Sequence, residues 1–172
     1  MTQIVPPAKA SPRRVLMLGF DDAQILDIAG PLQIFSSALT PEGTPAYAVE
    51  LVAAKAGPVM TTSGLTLFAA RAFGDLTHNE LKAVDTFLVS GGQGTRALEH
   101  DAATLGFIRR AAPLARRTAS ICTGALLLAA AGVLDGKRAA THWAFAPKLA
   151  RDYPAVTVDG DAIFLREGNI WT

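Results

Sequence analysis

The sequence predicts an α/β fold, a three-layer sandwich whose mostly parallel sheet carries helices on both faces. Continuously apolar runs of strand length alternate with stretches of helical composition. This order is typical of parallel sheets, because each helix returns the chain to the same edge. The runs are apolar at consecutive positions, as in strands that are covered on both faces. One of them passes through Cys122 directly into an apolar helix, which indicates a sharp turn at the edge of the sheet.

The first half of the chain is predicted to contain two strands, one helix and one hairpin. The strand over 14–20 is followed by a helix with a continuous apolar stripe, formed by Ile28, Leu32, Phe35 and Leu39. Pro31 is expected in the first turn of this helix, where an amide proton would have no hydrogen-bond acceptor within the helix. An alternating strand is predicted over 47–53, and the glycine-punctuated stretch 57–68 favours a small hairpin or excursion.

The second half is predicted to frame the cysteine with further strands and helices. A weak helical turn at 80–84 precedes a buried strand at 85–90. Asp101 begins a helix that Pro113 ends, because aspartate caps helix starts and proline cannot continue a helix. After these, the predicted elements are a strand at 117–121, a buried helix at 125–131, an extended run at 137–141, a helix at 144–153 and short strands at 156–158, 162–166 and 169–172.

Length and composition restrict the class of protein. The chain has 172 residues, half of them hydrophobic and 18% charged, so it can bury one core and is too apolar to be disordered throughout. Sixteen basic and fifteen acidic residues leave no net field to attract nucleic acid or a membrane surface. A single cysteine permits no internal disulfide, which suits a reducing compartment. We therefore expect a cytoplasmic protein with a flexible tail at 1–13 and one domain at 14–172.

Cys122 is the strongest candidate for a reactive side chain. Three residues, Cys122, Thr123 and Gly124, separate the predicted strand from the buried helix. The stretch Ser-Ile-Cys-Thr-Gly (120–124) has the small–x–nucleophile–x–small layout of hydrolase elbows. A thiol just before a helix start is expected to favour its thiolate form, because amide protons and the helix dipole stabilise negative charge there. The alternative is a packed cysteine that behaves as a small hydrophobe.

Three other places carry candidate site residues. Asp27, between apolar neighbours at a helix start, is either a helix cap or a site residue. The glycine cluster at 91–94 follows a strand, where α/β sheets bind ligands, but it lacks the spacing of a dinucleotide fingerprint and the lysine of a P-loop. His142 is either a core or capping residue or part of the site, and His78 and His100 are expected at the surface. No spacing of histidine, cysteine and carboxylate residues resembles a metal site.

With these features the chain resembles the ThiJ/PfpI superfamily of class I glutamine-amidotransferase-like domains, from about Arg14 to Thr172. The matching blocks are Leu-Asp-Ile-Ala-Gly-Pro (26–31), Thr-Ser-Gly-Leu (62–65), Gly-Gly-Gln-Gly (91–94), Ser-Ile-Cys-Thr-Gly (120–124) and Ala-Thr-His-Trp (140–143). Together the blocks are specific, whereas any one alone would be weak. Two branches look most similar, isonitrile hydratase and the amino-terminal domain of AraC-type transcription regulators.

The resemblance implies catalytic roles for three residues. Cys122 would be the elbow nucleophile, Asp27 the acid held against its thiol, and Thr123 the threonine found beside the cysteine in isonitrile hydratase. The family's proteases often carry histidine where Thr123 stands, which argues against amide hydrolysis. Asp27 would either stay neutral and hold a proton, or ionise and raise the pKa of the thiol, and the sequence leaves both outcomes open.

The resemblance also implies an oxyanion pocket and a ligand-binding wall. The amides of Gly92 and Thr123 would form the oxyanion pocket. Gly91 belongs to the same glycine cluster, in which the main chain is able to approach a ligand closely. His142 falls where many members carry a histidine near the cysteine.

Two functions follow from the resemblance. The first is a ligand-sensing domain of an AraC-type regulator. Residues 161–172 look more like the regulators, which would continue into a final helix and a DNA-binding domain, so we expect the chain to stop short of that helix. The alternative is a cysteine enzyme that hydrates an isonitrile to an N-substituted formamide, which the site residues match without a gap. In either case we expect a small-molecule ligand, a homodimer, no cofactor or metal, no membrane association, and DNA binding only through a separate carboxyl-terminal domain.

Overall fold

Strands and helices alternate along residues 11–172, which are the residues that the computed structural model describes. The strands are β1 (Arg13–Leu18), β2 (Tyr47–Ala53), β3 (Gly57–Met60), β4 (Thr66–Ala69), β5 (Arg71–Ala72), β6 (Val84–Val89), β7 (Arg117–Ser120), β8 (Arg138–Ala139), β9 (Thr157–Val158), β10 (Arg166–Glu167) and β11 (Ile170–Trp171). The helices are α1 (Ile25–Ser37), α2 (His78–Lys82), α3 (Thr95–Leu98), α4 (Ala102–Ala111), α5 (Gly124–Ala130) and α6 (Ala146–Asp152), with 3₁₀ turns at Phe73–Asp75 and Trp143–Phe145.

Within this described part, one sheet holds seven strands in the order β10–β11–β7–β6–β1–β2–β5. Neighbouring strands are parallel except for the antiparallel pair β10 and β11. The register aligns Leu18 of β1 with Val89 of β6, and Val89 with Ser120 of β7. The carboxyl ends of these three central strands therefore lie side by side. The predicted α/β fold with a mostly parallel sheet is confirmed.

The core lies around the central strands and the helix that follows Cys122. Residues 15–18 of β1 are buried at consecutive positions, and so are residues 124–129 of α5. A strand buried on both faces and a helix buried all round are what continuous apolar runs predict. α5 packs against β6 and β7, and α4 packs against α5. The core thus holds fixed the strand and the helix on either side of the cysteine.

The first helix differs from its prediction. Pro31 lies inside α1, at the seventh of its 13 residues, and not in the first turn. The missing amide proton therefore removes a helical hydrogen bond to the carbonyl oxygen of Asp27, four residues earlier. Leu39 lies beyond the helix end and is 62% exposed, so the apolar stripe ends at Phe35. Pro31 is in the helix interior because α1 starts at Ile25, earlier than its apolar stripe, and Leu39 is excluded because α1 ends at Ser37.

Several other helix and strand boundaries differ from their predictions, each for a local reason. α2 starts before its predicted range because Thr77 caps it, in a capping box with Glu80. The predicted strand at 162–166 is wrong except for Arg166, which begins β10 and its short hairpin with β11. β1 begins at Arg13, one residue earlier than predicted. The tail was predicted over residues 1–13, and residues 1–10 of it lie outside the described part of the chain.

Candidate cysteine site at the carboxyl edge of the sheet

Cys122 forms the turn between β7, which ends at Ser120, and α5, which begins at Gly124. Its φ angle is 54°, a left-handed conformation that is strained for a residue with a side chain. A Cβ atom at Gly124 would overlap the carbonyl oxygens of Val89 and Ser90, so glycine is needed for the helix to approach β6 this closely. The predicted sharp turn and its strained backbone are therefore present, and they hold the half-buried Cys122 at the sheet's edge.

Asp27 is buried and does not cap its helix. The N-cap position of α1 is Gln24, and no side chain makes a capping hydrogen bond there. Among the described residues, none donates a hydrogen bond to Asp27 Oδ2. Burial raises the pKa of the Asp27 carboxyl, and the Cys122 thiol, the Gly91 amide and His142 oppose this rise in pKa. Asp27 is thus a carboxyl that holds a proton more readily than usual, within interaction range of the thiol.

The Cys122 thiol is shifted in the direction opposite to the sequence-based expectation. Burial raises its pKa, and the negative charge of Asp27 raises it further. The amide and the hydroxyl of Thr123 lower the pKa, but by less. The prediction of a favoured thiolate is therefore wrong for this structure, because desolvation and like charge outweigh a helix start that is followed by only seven helical residues.

Thr123 joins the two turns that border the site. The Gly92 amide donates a hydrogen bond of 2.9 Å to Thr123 Oγ1, and this hydroxyl in turn lies 3.3 Å from Gly92 O. Gly91 packs against the acid, since a Cβ atom there would lie 2.6 Å from Asp27 Oδ2. The Gly92 amide is thus already paired. An oxyanion pocket built from the Gly92 and Thr123 amides would require that hydrogen bond to break.

His142 combines both of its predicted alternatives. Its Nδ1 accepts a hydrogen bond of 3.3 Å from the Ala144 amide and so caps the 3₁₀ turn Trp143–Phe145. The exposed ring also lines, together with Cys122, the two cavities described below. Because Nδ1 accepts this hydrogen bond, the ring is able to donate one only from Nε2. His78 and His100 are exposed and line neither of these cavities, as expected.

Two cavities meet at Cys122. The larger has a volume of 390 Å³ and includes the apolar side chains Ile163, Phe164 and Trp171, and we call it the apolar cavity. The smaller has a volume of 200 Å³ and is lined by Gln24, Thr62, Gly92, Gln93, Arg96, Cys122, Thr123, His142 and Phe145, and we call it the polar cavity. A separate cavity of 450 Å³ lies beyond the end of β1 and does not reach Cys122.

Sequence reasoning missed several residues of this site. Ser120 lines the apolar cavity, and its buried hydroxyl has no hydrogen-bond partner among residues 11–172. Gln24 and Arg96 line the polar cavity. Ser120 belongs to the elbow motif, but the small–x–nucleophile–x–small layout requires only a small residue at this position. Arg96 lies two residues after the glycine cluster, and a cation this close to a predicted ligand-binding turn was the signal that could have identified it.

Two kinds of feature are absent from the described residues. No three side chains among their histidines, cysteines and carboxylates come together as a metal site would require. No helix in this part of the chain has the length and apolar character needed to cross a membrane.

The sequence profile of the DJ-1/PfpI family matches residues 13–172. The chain belongs to the DJ-1/PfpI family. Isonitrile hydratase of Pseudomonas putida is 38% identical over 153 residues, which are 89% of this chain and 61% of that protein. The transcriptional regulator GlxA of Rhizobium meliloti is 29% identical over 168 residues, which are 96% of this chain and 50% of that protein. This DJ-1/PfpI domain thus spans less than two thirds of either relative.

A solved structure of a ThiJ/PfpI family protein from Pseudomonas syringae has the same fold. It superposes with a TM-score of 0.80 at 27% sequence identity, and the match covers 99% of this chain and 67% of that one. Relatives of this DJ-1/PfpI domain therefore include both an enzyme and a regulator, as the resemblance of the sequence predicted.

Proposed function

We propose that this domain is a cysteine enzyme that hydrates an isonitrile to an N-substituted formamide. The observation that carries the proposal is the pairing of Asp27 with Cys122. A buried carboxyl with a raised pKa, within interaction range of a thiol, is suited to take a proton and return it. A domain that only binds a ligand has no need of such a group. The higher identity to isonitrile hydratase, 38% against 29% for GlxA, supports the same choice.

The residues present account for a balanced reaction. Asp27, in its ionised form, takes the proton of the Cys122 thiol and delivers it to the terminal carbon of the isonitrile, while Sγ bonds to the same carbon. The product of this step is a thioimidate, R–N=CH–S–Cys. Water then adds to that carbon, the C–S bond breaks with return of the proton to sulfur, and R–NH–CHO leaves. The isonitrile consumes one water molecule, and the thiol and the carboxyl are regenerated.

Turnover of a simple alkyl isonitrile tests the proposal. Formamide should appear in the ¹H NMR spectrum with the wild-type protein, and Cys122→Ser and Asp27→Asn should each lower the rate by at least about 100-fold. Asp75→Asn is the matched control, since Asp75 is exposed and its carboxyl lines neither cavity at Cys122. Absence of formamide with the wild-type protein, or an unchanged rate in Cys122→Ser, would refute the enzyme.

The second candidate is the ligand-sensing domain of an AraC-type regulator. It is favoured by the extent of the match to GlxA, because 96% of this chain aligns with half of that regulator. In this function Cys122 stays protonated, as its raised pKa favours, and the cavities bind a small molecule without converting it. Contact with DNA would be made by a different domain. Saturable ligand binding without formamide would support the sensor over the enzyme.

A further inference from the structure

The polar cavity is lined by hydrogen-bond donors that have no partner in the protein. The guanidinium of Arg96 makes neither a hydrogen bond nor an ion pair with any residue of 11–172, and the side-chain amide of Gln93 likewise makes no hydrogen bond there. The Arg96 guanidinium lies 5.9 Å from the centre of the Phe145 ring. A cation–π contact of this kind holds the guanidinium near the ring and leaves its N–H groups able to bind a ligand.

The charge in this cavity is one-sided. Among the described residues, its lining contains the cation Arg96 and no aspartate or glutamate. Asp27, the acid of the site, does not line the cavity. A ligand that enters the polar cavity therefore meets a cation without a competing carboxylate, and guanidinium binds carboxylates through two parallel hydrogen bonds.

The apolar cavity on the other side of Cys122 has a different character. Ile163, Phe164 and Trp171 contribute apolar surface, and the first two are 97% and 68% exposed. A ligand that extends through both cavities would place an apolar group here and a charged group in the polar cavity, with its reactive centre at Cys122.

We propose that the site selects small molecules that bear a carboxylate, and that Arg96 binds this carboxylate in the polar cavity. The inference rests on the proposed function only in that the ligand reaches Cys122. It adds a substrate class to that function, an isonitrile carrying a carboxylate. It applies equally to a ligand that is bound and not converted.

Alkylation of Cys122 by a matched pair of reagents tests the inference without any turnover. Iodoacetate and iodoacetamide form the same C–S bond and release the same iodide, but only iodoacetate carries a carboxylate. The ratio of their second-order rate constants therefore reports attraction of a carboxylate to the thiol, and it is independent of the pKa of the thiol. The rate constant for iodoacetate divided by that for iodoacetamide should be about fivefold higher in wild type than in Arg96→Met. A factor of this size corresponds to one exposed charge pair.

Two further variants complete the experiment. Arg110→Met removes an exposed arginine that lines neither cavity at Cys122, and its ratio should equal that of wild type. Arg96→Lys keeps the charge and should retain most of the preference for iodoacetate. An equal ratio in wild type and Arg96→Met would overturn the inference, as would an equal loss in both methionine variants, which would indicate only the overall charge of the protein.

Turnover separates this inference from the proposed function. If isonitriles are hydrated, isocyanoacetate should be converted with a kcat/KM about fivefold above that of its methyl ester, and Arg96→Met should remove the difference. If no isonitrile is hydrated, the proposed function fails, and the alkylation ratio still decides whether Arg96 binds carboxylates. Hydration of both compounds at equal kcat/KM would support the proposed enzyme activity and contradict carboxylate binding by Arg96.

Discussion

The amide of Gly92 donates a hydrogen bond to the hydroxyl of Thr123, and this contact of 2.9 Å joins the turn after β6 to the turn that carries Cys122. Thr123 is buried, so its hydroxyl is a fixed acceptor and not a solvated one. The two residues are 31 positions apart in the sequence. Their hydrogen bond thus fixes the width of the site between two neighbouring strands.

Replacing Thr123 by valine should destabilise the protein. Valine keeps the shape and removes the acceptor of the Gly92 amide, which should lower the free energy of unfolding by about 1 kcal/mol. Urea denaturation followed by circular dichroism measures the change. Thr123→Ser keeps the hydroxyl and should cost less. Equal losses in the two variants would mean that the methyl group, and not the hydrogen bond, stabilises the turn.

Gly124→Ala should be more harmful than a glycine substitution elsewhere. The new Cβ would meet the main-chain oxygens of Val89 and Ser90 at the end of β6, which cannot move away as a flexible side chain would, so we expect a loss of about 2–3 kcal/mol. Gly106→Ala in α4 is the control, because no described atom lies within 4 Å of its Cβ position apart from its chain neighbours and the backbone of its own helix. That variant should stabilise the protein by about 0.5–1 kcal/mol. A stable Gly124→Ala protein would show that α5 does not pack as closely on β6 as described.

Asp27→Asn should stabilise the folded protein at neutral pH. The folded-state pKa of Asp27 is raised above its unfolded value, chiefly by burial. The ionised carboxyl therefore opposes folding, and stability falls as pH rises from the unfolded pKa through the folded pKa. Removing this charge should raise the free energy of unfolding at pH 7.

Thermal unfolding at pH 4 and pH 7 measures this effect. The gain in Tm of Asp27→Asn should be larger at pH 7, and Asp75→Asn should show no such difference. A lower Tm of Asp27→Asn than of wild type at pH 7 would contradict the unfavourable burial of Asp27.

Asp101→Ala should lose stability instead. Asp101 caps α4 through the Thr104 amide at 2.7 Å, and its lowered pKa stabilises the fold above the unfolded pKa, a contribution that is lost as pH falls.

Exposed apolar side chains lead us to expect a homodimer. The outward face of the β3–β4 hairpin carries Met60 and Phe68, and Leu65 at its tip is also exposed. Such a cluster on a protein surface is typical of a binding interface. Light scattering should give twice the monomer mass, and Phe68→Glu should shift the population to monomer. Phe164→Glu, on a different exposed segment, is the comparison. A monomeric wild type at high protein concentration would contradict the dimer.

Local patterns predicted the fold well. The alternating pattern of β2 placed both of its ends correctly, and Asp101 was identified as the cap of α4. The turn at Cys122 could be predicted because small residues and a buried helix follow a strand without room for a loop. Each of these features depends on residues close together in the sequence.

The electrostatics of the site could not be predicted in the same way. The direction of the Cys122 pKa shift depends on burial and on Asp27, which lies in a different element of the sheet edge. The pairing of Gly92 with Thr123 also joins distant parts of the chain. The helix start favours a thiolate, and the resemblance placed Asp27 against the thiol without giving the sign of the pKa shift. Burial in the folded protein is the largest contribution to that shift.

The pH dependence of Cys122 alkylation by iodoacetamide tests the central claim, that Asp27 and Cys122 share a proton, most directly. In wild type the rate should reach half its maximum at a pH above that of a free cysteine thiol, because burial and Asp27 raise the pKa of Cys122. In Asp27→Asn the charge is gone, so this midpoint should fall and the rate at neutral pH should rise. Identical midpoints in wild type and Asp27→Asn would show that the two side chains do not interact, and the account of the site would be wrong.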